Sequence, residues 1–454
     1  MGDRRRGATA LLAGWGGTSP STAEVLHPFG DAEVTEVVRA RPDRGVVARG
    51  LGRAYGDAAQ NAGGVVLDAT ALRGVRHLDV EQGRATVAAG TSLDDLMRWL
   101  LPAGFFLVTP GTRSVTVGGA IASDIHGKGH HADGTFGSNV RAITLVDGAG
   151  AVRRLTPEET PEEFWATTGG MGLTGVITEA EIDLIPVETA MIRADTERAS
   201  DLEDLMARMD ARDDEYRYSV AWIDCLATGR SMGRGILDRG DHARLDELPP
   251  ARRADARRFD PHTVISAPPI FPSGLVNRWT VRAFNEAWFR KSPKRREGHL
   301  VDIGWFFHPL DLITGWNRLY GPRGFVQYQF VVPFGQERAV QTAVERLSLA
   351  GTPSLLAVLK RFGPANPGPL SFPQPGWTLA LDIPVGDPDL HNLLDGLDDL
   401  VLEAGGRVYL AKDARVRPDH LAGMYPRLEE WRAVRRRLDP DGVIRSDLAR
   451  RLGL

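Results

Sequence analysis

Three runs dense in glycine, at residues 50–56, 111–127 and 169–175, each sit beside a short apolar segment, and they restrict this chain more than any other feature. Glycine lacks a Cβ, so a glycine-rich loop turns tightly and brings backbone N–H groups close to a phosphate or a large planar ligand. The first run, Arg49, Gly50, Leu51, Gly52, Arg53, Ala54, Tyr55, Gly56 and Asp57, follows the apolar residues 45–48. It reads as a diphosphate cradle or as a glycine-rich turn. A Rossmann fingerprint would lead from its last glycine into a helix, with an acidic residue about 20 positions on. Here Asp57, Asn61 and another strand-like run follow instead. The second run is longer and more specific, from Pro110 and Gly111 through Gly118, Gly119 and Ala120 to Ile125, His126, Gly127 and Lys128. The third, with Gly169, Gly170, Gly172 and Gly175, leads into the apolar Val176 and Ile177. Three such runs in succession exceed what turns alone require.

Their surroundings read as an α+β unit. Residues 45–50, 63–70, 84–90 and 143–156 are short strands, and Asp147-Gly148 is a hairpin signal. Between them, Leu93, Leu96, Met97 and Leu100 fall at helical spacing after Thr91-Ser92. From about Phe325 the order changes to strand, helix, strand, strand, helix, strand, which predicts a ferredoxin-like antiparallel sheet with helices on one face. With 454 residues the chain exceeds what one core normally holds, so two or more packed units are expected. Residues 229–258, rich in Arg, Asp and Gly, read as a solvated connector or mobile loop. Residues 273–296 interleave Trp279, Phe284, Trp288 and Phe289 with Arg and Lys. That mixture suits an anionic lipid surface or a substrate lid, and equally an ordinary helix that packs its aromatics on a sheet.

Some function classes are excluded early. A net charge of -4 gives no global attraction to nucleic acid. The single cysteine, Cys225, rules out a disulfide framework and cysteine-rich metal or iron–sulfur sites, and no metal site is expected, so redox chemistry here requires a bound organic cofactor. The basic start is followed by an apolar stretch too short for a signal peptide, and no apolar run approaches the roughly 18 residues of a membrane span. Any membrane association is therefore expected to be peripheral, on the cytoplasmic or the envelope side of the plasma membrane.

Taken in order, these motifs resemble the FAD-binding domain of the vanillyl-alcohol-oxidase or PCMH family. Within that family the chain is most similar to the branch that oxidises the 2'-hydroxyl of decaprenylphosphoryl-β-D-ribose in cell-wall arabinan synthesis. The resemblance runs from Gly14-Trp15-Gly16 through Phe307-His308-Pro309 and Gln327-Tyr328-Gln329-Phe330 to Ala411-Lys412-Asp413 and the tail. It implies a two-domain PCMH-type fold: residues 1–190 bind FAD, 191–410 form a substrate or cap domain with mobile loops at 229–258 and 273–300, and 411–454 return to the active site. It implies that FAD is held by Arg49, Gly50, Leu51, Gly52, Arg53, Ala54 and Tyr55, then by Gly111, Thr112, Val115, Thr116, Gly118, Gly119, Ala122, Ser123, Ile125, His126 and Gly127. Gly172, Val176, Ile177 and Tyr409 complete that set. Arg53 stands where related sugar oxidases carry a flavin-linked histidine, so the FAD is expected to be non-covalent. A lipid-linked sugar is the implied substrate and a short-chain keto-reductase the implied partner acting on the product.

Alcohol oxidation at a flavin needs a group that takes the hydroxyl proton or stabilises the charge it leaves. Lys412, after the apolar residues 407–410, is the foremost candidate, as a base or as a charge stabiliser. The resemblance implies that His126, Lys128 and Tyr55 join it as catalytic candidates and that Gln329, Lys360, Asp382 and Lys412 surround the substrate; Tyr55 also reads as loop packing, Gln329 as solvent-facing, Lys360 as a strand-end charge and Asp382 as the partner of a neighbouring cation. Three departures from the branch stand out: Ala380 in place of a cysteine that nitroaromatic inhibitors capture, Thr378 in place of asparagine and Phe307 in place of tyrosine. Two other readings remain: an FAD oxidase of soluble alditols or aldonolactones, and a non-catalytic nucleotide binder.

Overall fold

The short strands flanking the glycine runs pair into two small sheets. The computed structural model describes residues 7–261, 265–268 and 270–454, so the basic start at residues 1–6 lies outside the described residues. In the first sheet β1 (Ala8–Leu12), β2 (Ser21–Leu26), β3 (Val46–Arg49) and β4 (Val65–Asp68) take the order β1-β2-β4-β3, with β2/β4 and β3/β4 parallel. The second holds β5 (Val75–Asp79), β6 (Arg84–Ala88), β7 (Val140–Val146), β8 (Val152–Leu155) and β9 (Val176–Asp183) in the antiparallel order β5-β6-β9-β7-β8. The expected hairpin joins β7 to β8, and the Asp147 carboxylate accepts from the N–H groups of Ala149 and Ala151. Helix α1 (Leu93–Ala103) starts where the Ser92 hydroxyl accepts from Asp95 N–H, buries Leu93, Leu96, Met97, Leu100 and Leu101, and stops at left-handed Gly104. Each of those side chains contributes about 1.5–3 kcal/mol by leaving water. Helix α2 (Val117–Ala122) lies within the second glycine run, capped by Thr116, whose hydroxyl accepts from Gly119 N–H.

The third sheet has eight strands: β10 (Met191–Ala199), β11 (Tyr218–Ile223), β12 (Gly235–His242), β13 (Arg295–Asp302), β14 (Phe325–Pro333), β15 (Ala357–Phe362), β16 (Gly376–Pro384) and β17 (Arg407–Val408). Their order is β13-β10-β12-β11-β15-β16-β14-β17. Between α2 and the last strands of this sheet come α3 (Arg278–Lys291), α4 (Glu337–Ala350) and α5 (Leu390–Glu403). The unit β14-α4-β15-β16-α5-β17 has the spatial order β15-β16-β14-β17, and α4 and α5 pack on each other and on β14, so the ferredoxin-like expectation holds. The fold is α+β as expected.

Two loop expectations are corrected. Within 229–258, residues 235–242 form β12, an interior strand between β10 and β11. Its charges disguised it: Arg239 is buried against Glu197, and Asp238 accepts from the Thr196 hydroxyl. Within 273–300 the structure has α3 and the edge strand β13. Asn277 caps α3 by accepting from the N–H groups of Trp279 and Thr280, while Val281 and Asn285 face inward. The charged residues of β13 keep that open edge from pairing with other chains.

After β17 the chain returns to the first sheets through α6 (Leu428–Leu438) and α7 (Asp447–Leu452). Ile444 forms a parallel bridge to Val46 at the edge of β3, and the Trp431 indole, fully buried, donates to Ala166 O at 2.9 Å.

Candidate active site

A cavity of about 270 Å³ lies between the glycine loops and one face of the ferredoxin-like sheet. Side-chain alternation builds that face. Gln327 and Gln329 on β14, Val358 and Lys360 on β15, and Thr378, Ala380 and Asp382 on β16 stand two apart on their strands and pair across them. The register is Gln327 opposite Asp382, Gln329 opposite Ala380, and Lys360 opposite Thr378. The opposite face, with Tyr328, Phe330, Leu359, Leu379 and Leu381, is buried. The other wall exposes glycine backbone among loop side chains. A Cβ at Gly111 or Gly172 would meet no atom within 4 Å, and Gly172 also takes φ 72.

The polar groups form two connected sets. In one, the buried His126 ring shares a hydrogen bond from Nε2 to Gln329 Nε2 at 3.0 Å and from Nδ1 to Lys360 Nζ at 3.0 Å. Lys360 Nζ also donates to Gly127 O at 3.3 Å, and Gln329 Nε2 donates to the Thr378 hydroxyl at 3.1 Å. Burial, with the charges of Lys128 and Lys412 nearby, brings Lys360 down to about 7. Burial and the neighbouring lysines hold His126 well below its usual value, so the ring is neutral. In the other set, Lys412 Nζ lies 4.0 Å from the centre of the Tyr55 ring, and Gln327 Nε2 donates to Asp382. Burial lowers Lys412, opposed by the charge of Asp382, and burial raises Asp382 in turn. Tyr55 is pushed well above its ordinary value by burial and by Asp382, so it stays a neutral phenol.

Most residues singled out from the sequence line this cavity: Gly50, Leu51, Gly52, Arg53, Ala54, Tyr55, Gly111, Thr112, Val115, Thr116, Gly118, Gly119, Ala122, Ser123, Ile125, His126, Gly172, Ile177, Gln329, Lys360, Tyr409 and Lys412. Five are corrected. Lys128 turns away and donates to Phe306 O at 2.5 Å, with Asp238 of β12 near it; a lysine two residues from His126 on an irregular loop points to the other side. Gly127 lies beneath His126 and gives its carbonyl to Lys360. Val176 is fully buried in the core between the first two sheets. Arg49 braces the first loop from behind by donating to Ala13 O and Ala59 O. Asp382 shares the sheet face but is buried against Gln327, which donates to it, and Gln327 rather than Asp382 lines the cavity. Gln329 is buried and faces inward, against the solvent-facing reading.

Sequence reading missed Gln327, which shares a face with Gln329 and whose signal was the Gln-x-Gln spacing on one strand. It also missed Trp15, Trp316 and Leu310, which supply apolar wall. The Arg53 guanidinium sits 3.7 Å from the centre of the Trp15 ring and donates to Ser114 O, which fixes the first loop against the second.

These walls suit FAD: bare glycine backbone for a diphosphate, apolar loop side chains for a ring system, and a polar face of lysines, histidine and glutamines opposite. Residues 23–156 match the family model described as FAD binding domain, and residues 382–452 match the one described as D-arabinono-1,4-lactone oxidase. The chain is 46% identical to decaprenylphosphoryl-beta-D-ribose oxidase of Mycolicibacterium smegmatis, over 98% of both chains. It belongs to the decaprenylphosphoryl-beta-D-ribose oxidase family. More distant similarity reaches D-arabinono-1,4-lactone oxidase of Eremothecium gossypii, 34% identical over 36% of this chain and 31% of that one. Cytokinin dehydrogenase 2 of Oryza sativa is 33% identical over 37% of this chain and 32% of that one. As a member of the ribose oxidase family the chain is an FAD-dependent oxidoreductase.

Proposed function

We propose that the protein oxidises the 2'-hydroxyl of decaprenylphosphoryl-β-D-ribofuranose to a ketone, the first half of an epimerisation to the arabinose lipid. The observation that carries this reading is 46% identity with the Mycolicibacterium smegmatis enzyme over 98% of both chains. FAD, when bound, supplies the hydride acceptor. Residues 1–190 hold it non-covalently, residues 191–410 hold the sugar, and the segment from 411 onward returns Lys412 to the reacting centre. Gln329 and Lys360 bind and orient the ribose hydroxyls, and His126 holds Lys360 in place. Lys412, cationic through its attraction to Asp382, stabilises negative charge left on the sugar oxygen. A short-chain keto-reductase would consume the ketone.

The lipid-linked substrate requires a surface that meets the membrane, and we assign α3 to it. Trp279 is 64% exposed under the Arg278 guanidinium, Phe284 and Trp288 stack with ring centres 6.1 Å apart, and the same helix carries Arg282, Arg290 and Lys291. No helix among the described residues is long and apolar enough to cross a membrane.

Anaerobic mixing of the holoenzyme with polyprenylphosphoryl ribose, followed by flavin bleaching, tests the reading. Bleaching by wild type that is lost in Lys412→Ala is the expected result. A flavin that ignores this lipid and bleaches with soluble alditols would overturn it. Trp279→Ser with Trp288→Ser should lower binding to vesicles of anionic phospholipid and spare turnover of a short-chain soluble analogue.

A further inference from the structure

The mechanism above uses Lys360 and His126 and leaves unexplained why a lysine should be buried beside a histidine with further cations close by. The titratable groups around it are His126 and His130, both neutral, from the chain after α2, Lys412 from the segment after β17, and at longer range Lys128, whose amine turns to Phe306. Among the described residues, a protonated Lys360 has no carboxylate partner of the kind Asp382 gives Lys412. The hydrogen bonds behind His126 supply a reason, and they begin at Thr378.

The Thr378 hydroxyl donates to Phe330 O at 2.8 Å. A hydroxyl has one proton, so toward Gln329 the Thr378 oxygen can only accept. Gln329 must therefore turn its amide nitrogen, not its oxygen, to Thr378, as it does at 3.1 Å. The same NH₂ group carries a second proton, and it points at His126 Nε2 from 3.0 Å. His126 Nε2 then accepts, which places the proton of the neutral ring on Nδ1. Nδ1–H faces Lys360 Nζ at 3.0 Å, and a nitrogen that receives a hydrogen bond must offer a lone pair. An ammonium has none.

We infer that Thr378 is a positioning residue: through Gln329 it fixes the tautomer of His126, and His126 holds Lys360 as a neutral amine poised to accept the proton of the substrate hydroxyl. The chain Phe330 C=O, Thr378, Gln329, His126, Lys360 has one direction only. Lys360 thereby becomes the proton acceptor, and Lys412 is left to stabilise charge. The low titration point of Lys360 agrees with this polarity. The proton-accepting role rests on the alcohol-oxidation reading; the polarity of the chain does not.

Two measurements on the holoenzyme separate these. Nitrogen-15 spectra of histidine-labelled protein, with His126 assigned through His126→Gln, should show Nδ1 protonated in wild type and in Thr378→Ser, and Nε2 protonated in Thr378→Val. In Thr378→Val, Gln329 is free to flip, His126 Nδ1 accepts, and protonated Lys360 gains a hydrogen bond. The acid limb of the rate of flavin bleaching should then move up by about one pH unit or more, with Thr378→Ser restoring it. An Nε2-protonated ring in wild type, or a Thr378→Val limb that stays at the wild-type pH, would overturn the inference. If the tautomers behave as stated and polyprenylphosphoryl ribose bleaches neither protein, the substrate reading fails while the directed chain stands.

Discussion

Two glycine-to-alanine changes on the same wall distinguish backbone that supports the protein from backbone that faces the cofactor. A Cβ at Gly50 would lie 2.2 Å from Thr116 Oγ1 and 3.0 Å from its Cγ2. Thr116 caps α2, so relieving the overlap costs both packing and the cap. Overpacking costs about 1–3 kcal/mol and loss of a threonine cap about 1, so Gly50→Ala should lower the stability of flavin-free protein by about 2–4 kcal/mol. A Cβ at Gly111 meets nothing within 4 Å, and its φ is not positive. Gly111→Ala should leave flavin-free stability within about 0.5 kcal/mol of wild type, or raise it slightly by restricting the unfolded chain. Its methyl group projects into space that we assign to FAD, where an overlap of about 1–3 kcal/mol weakens binding roughly five- to 150-fold. Urea unfolding of flavin-free protein and calorimetric titration with FAD measure the two quantities separately. Wild-type FAD affinity in Gly111→Ala would move the cofactor off this loop and refute the placement.

Replacing Lys360 by methionine should remove the titration near pH 7 from the rate of flavin bleaching. Because its folded titration point lies below that of an unfolded lysine, Lys360 destabilises the fold fully below about pH 7, and the penalty fades as pH rises toward about 10. Lys360→Met should thus exceed wild type in urea midpoint most at acidic pH, with the gap closing in alkaline buffer; a gap that widens with pH would contradict the assignment. Ala380 lines the cavity opposite Gln329, so intact-mass analysis should find no covalent adduct with nitroaromatic inhibitors in wild type and one adduct in Ala380→Cys. Trp431→Ala removes a fully buried indole and its bond to Ala166, and should cost about 3–5 kcal/mol in urea unfolding. An effect under 1 kcal/mol would mean the return segment is not anchored there.

Much of the site was legible because its motifs stand in a fixed order along the chain. The order βαββαβ determined which strands neighbour one another, while Gln329 and Lys360 came from the family resemblance, and the structure puts them on one face through alternation on β14 and β15. The glycine runs announced the opposite wall. What escaped were residues whose orientation depends on distant partners. β12 hid behind Asp238 and Arg239, charges acceptable in an interior strand only because Thr196 and Glu197 of β10 meet them. Lys128 and His126 look equivalent in sequence, yet a turn between them sends one to the cavity and the other to Phe306. Val176 lies in a glycine-flanked run and points into the core because the strand it begins alternates. Gln327 was available from its spacing two residues before Gln329 on one strand.

The bridge between Val46 and Ile444 ties the open edge of the first sheet to a segment nearly 400 residues later. At a synthesis rate of about 5–20 residues per second, that edge waits roughly 20–80 s on the ribosome before its cover is made. Until then β3 exposes unpaired backbone, and the first glycine loop, whose Tyr55 N–H donates to Ala411 O, lacks one of its supports. The nascent chain therefore cannot complete a flavin site while it is being translated, and cofactor capture becomes one of the last events of biosynthesis. Yield in a foreign host should accordingly respond more to chaperone supply and slow, cool expression than to added riboflavin.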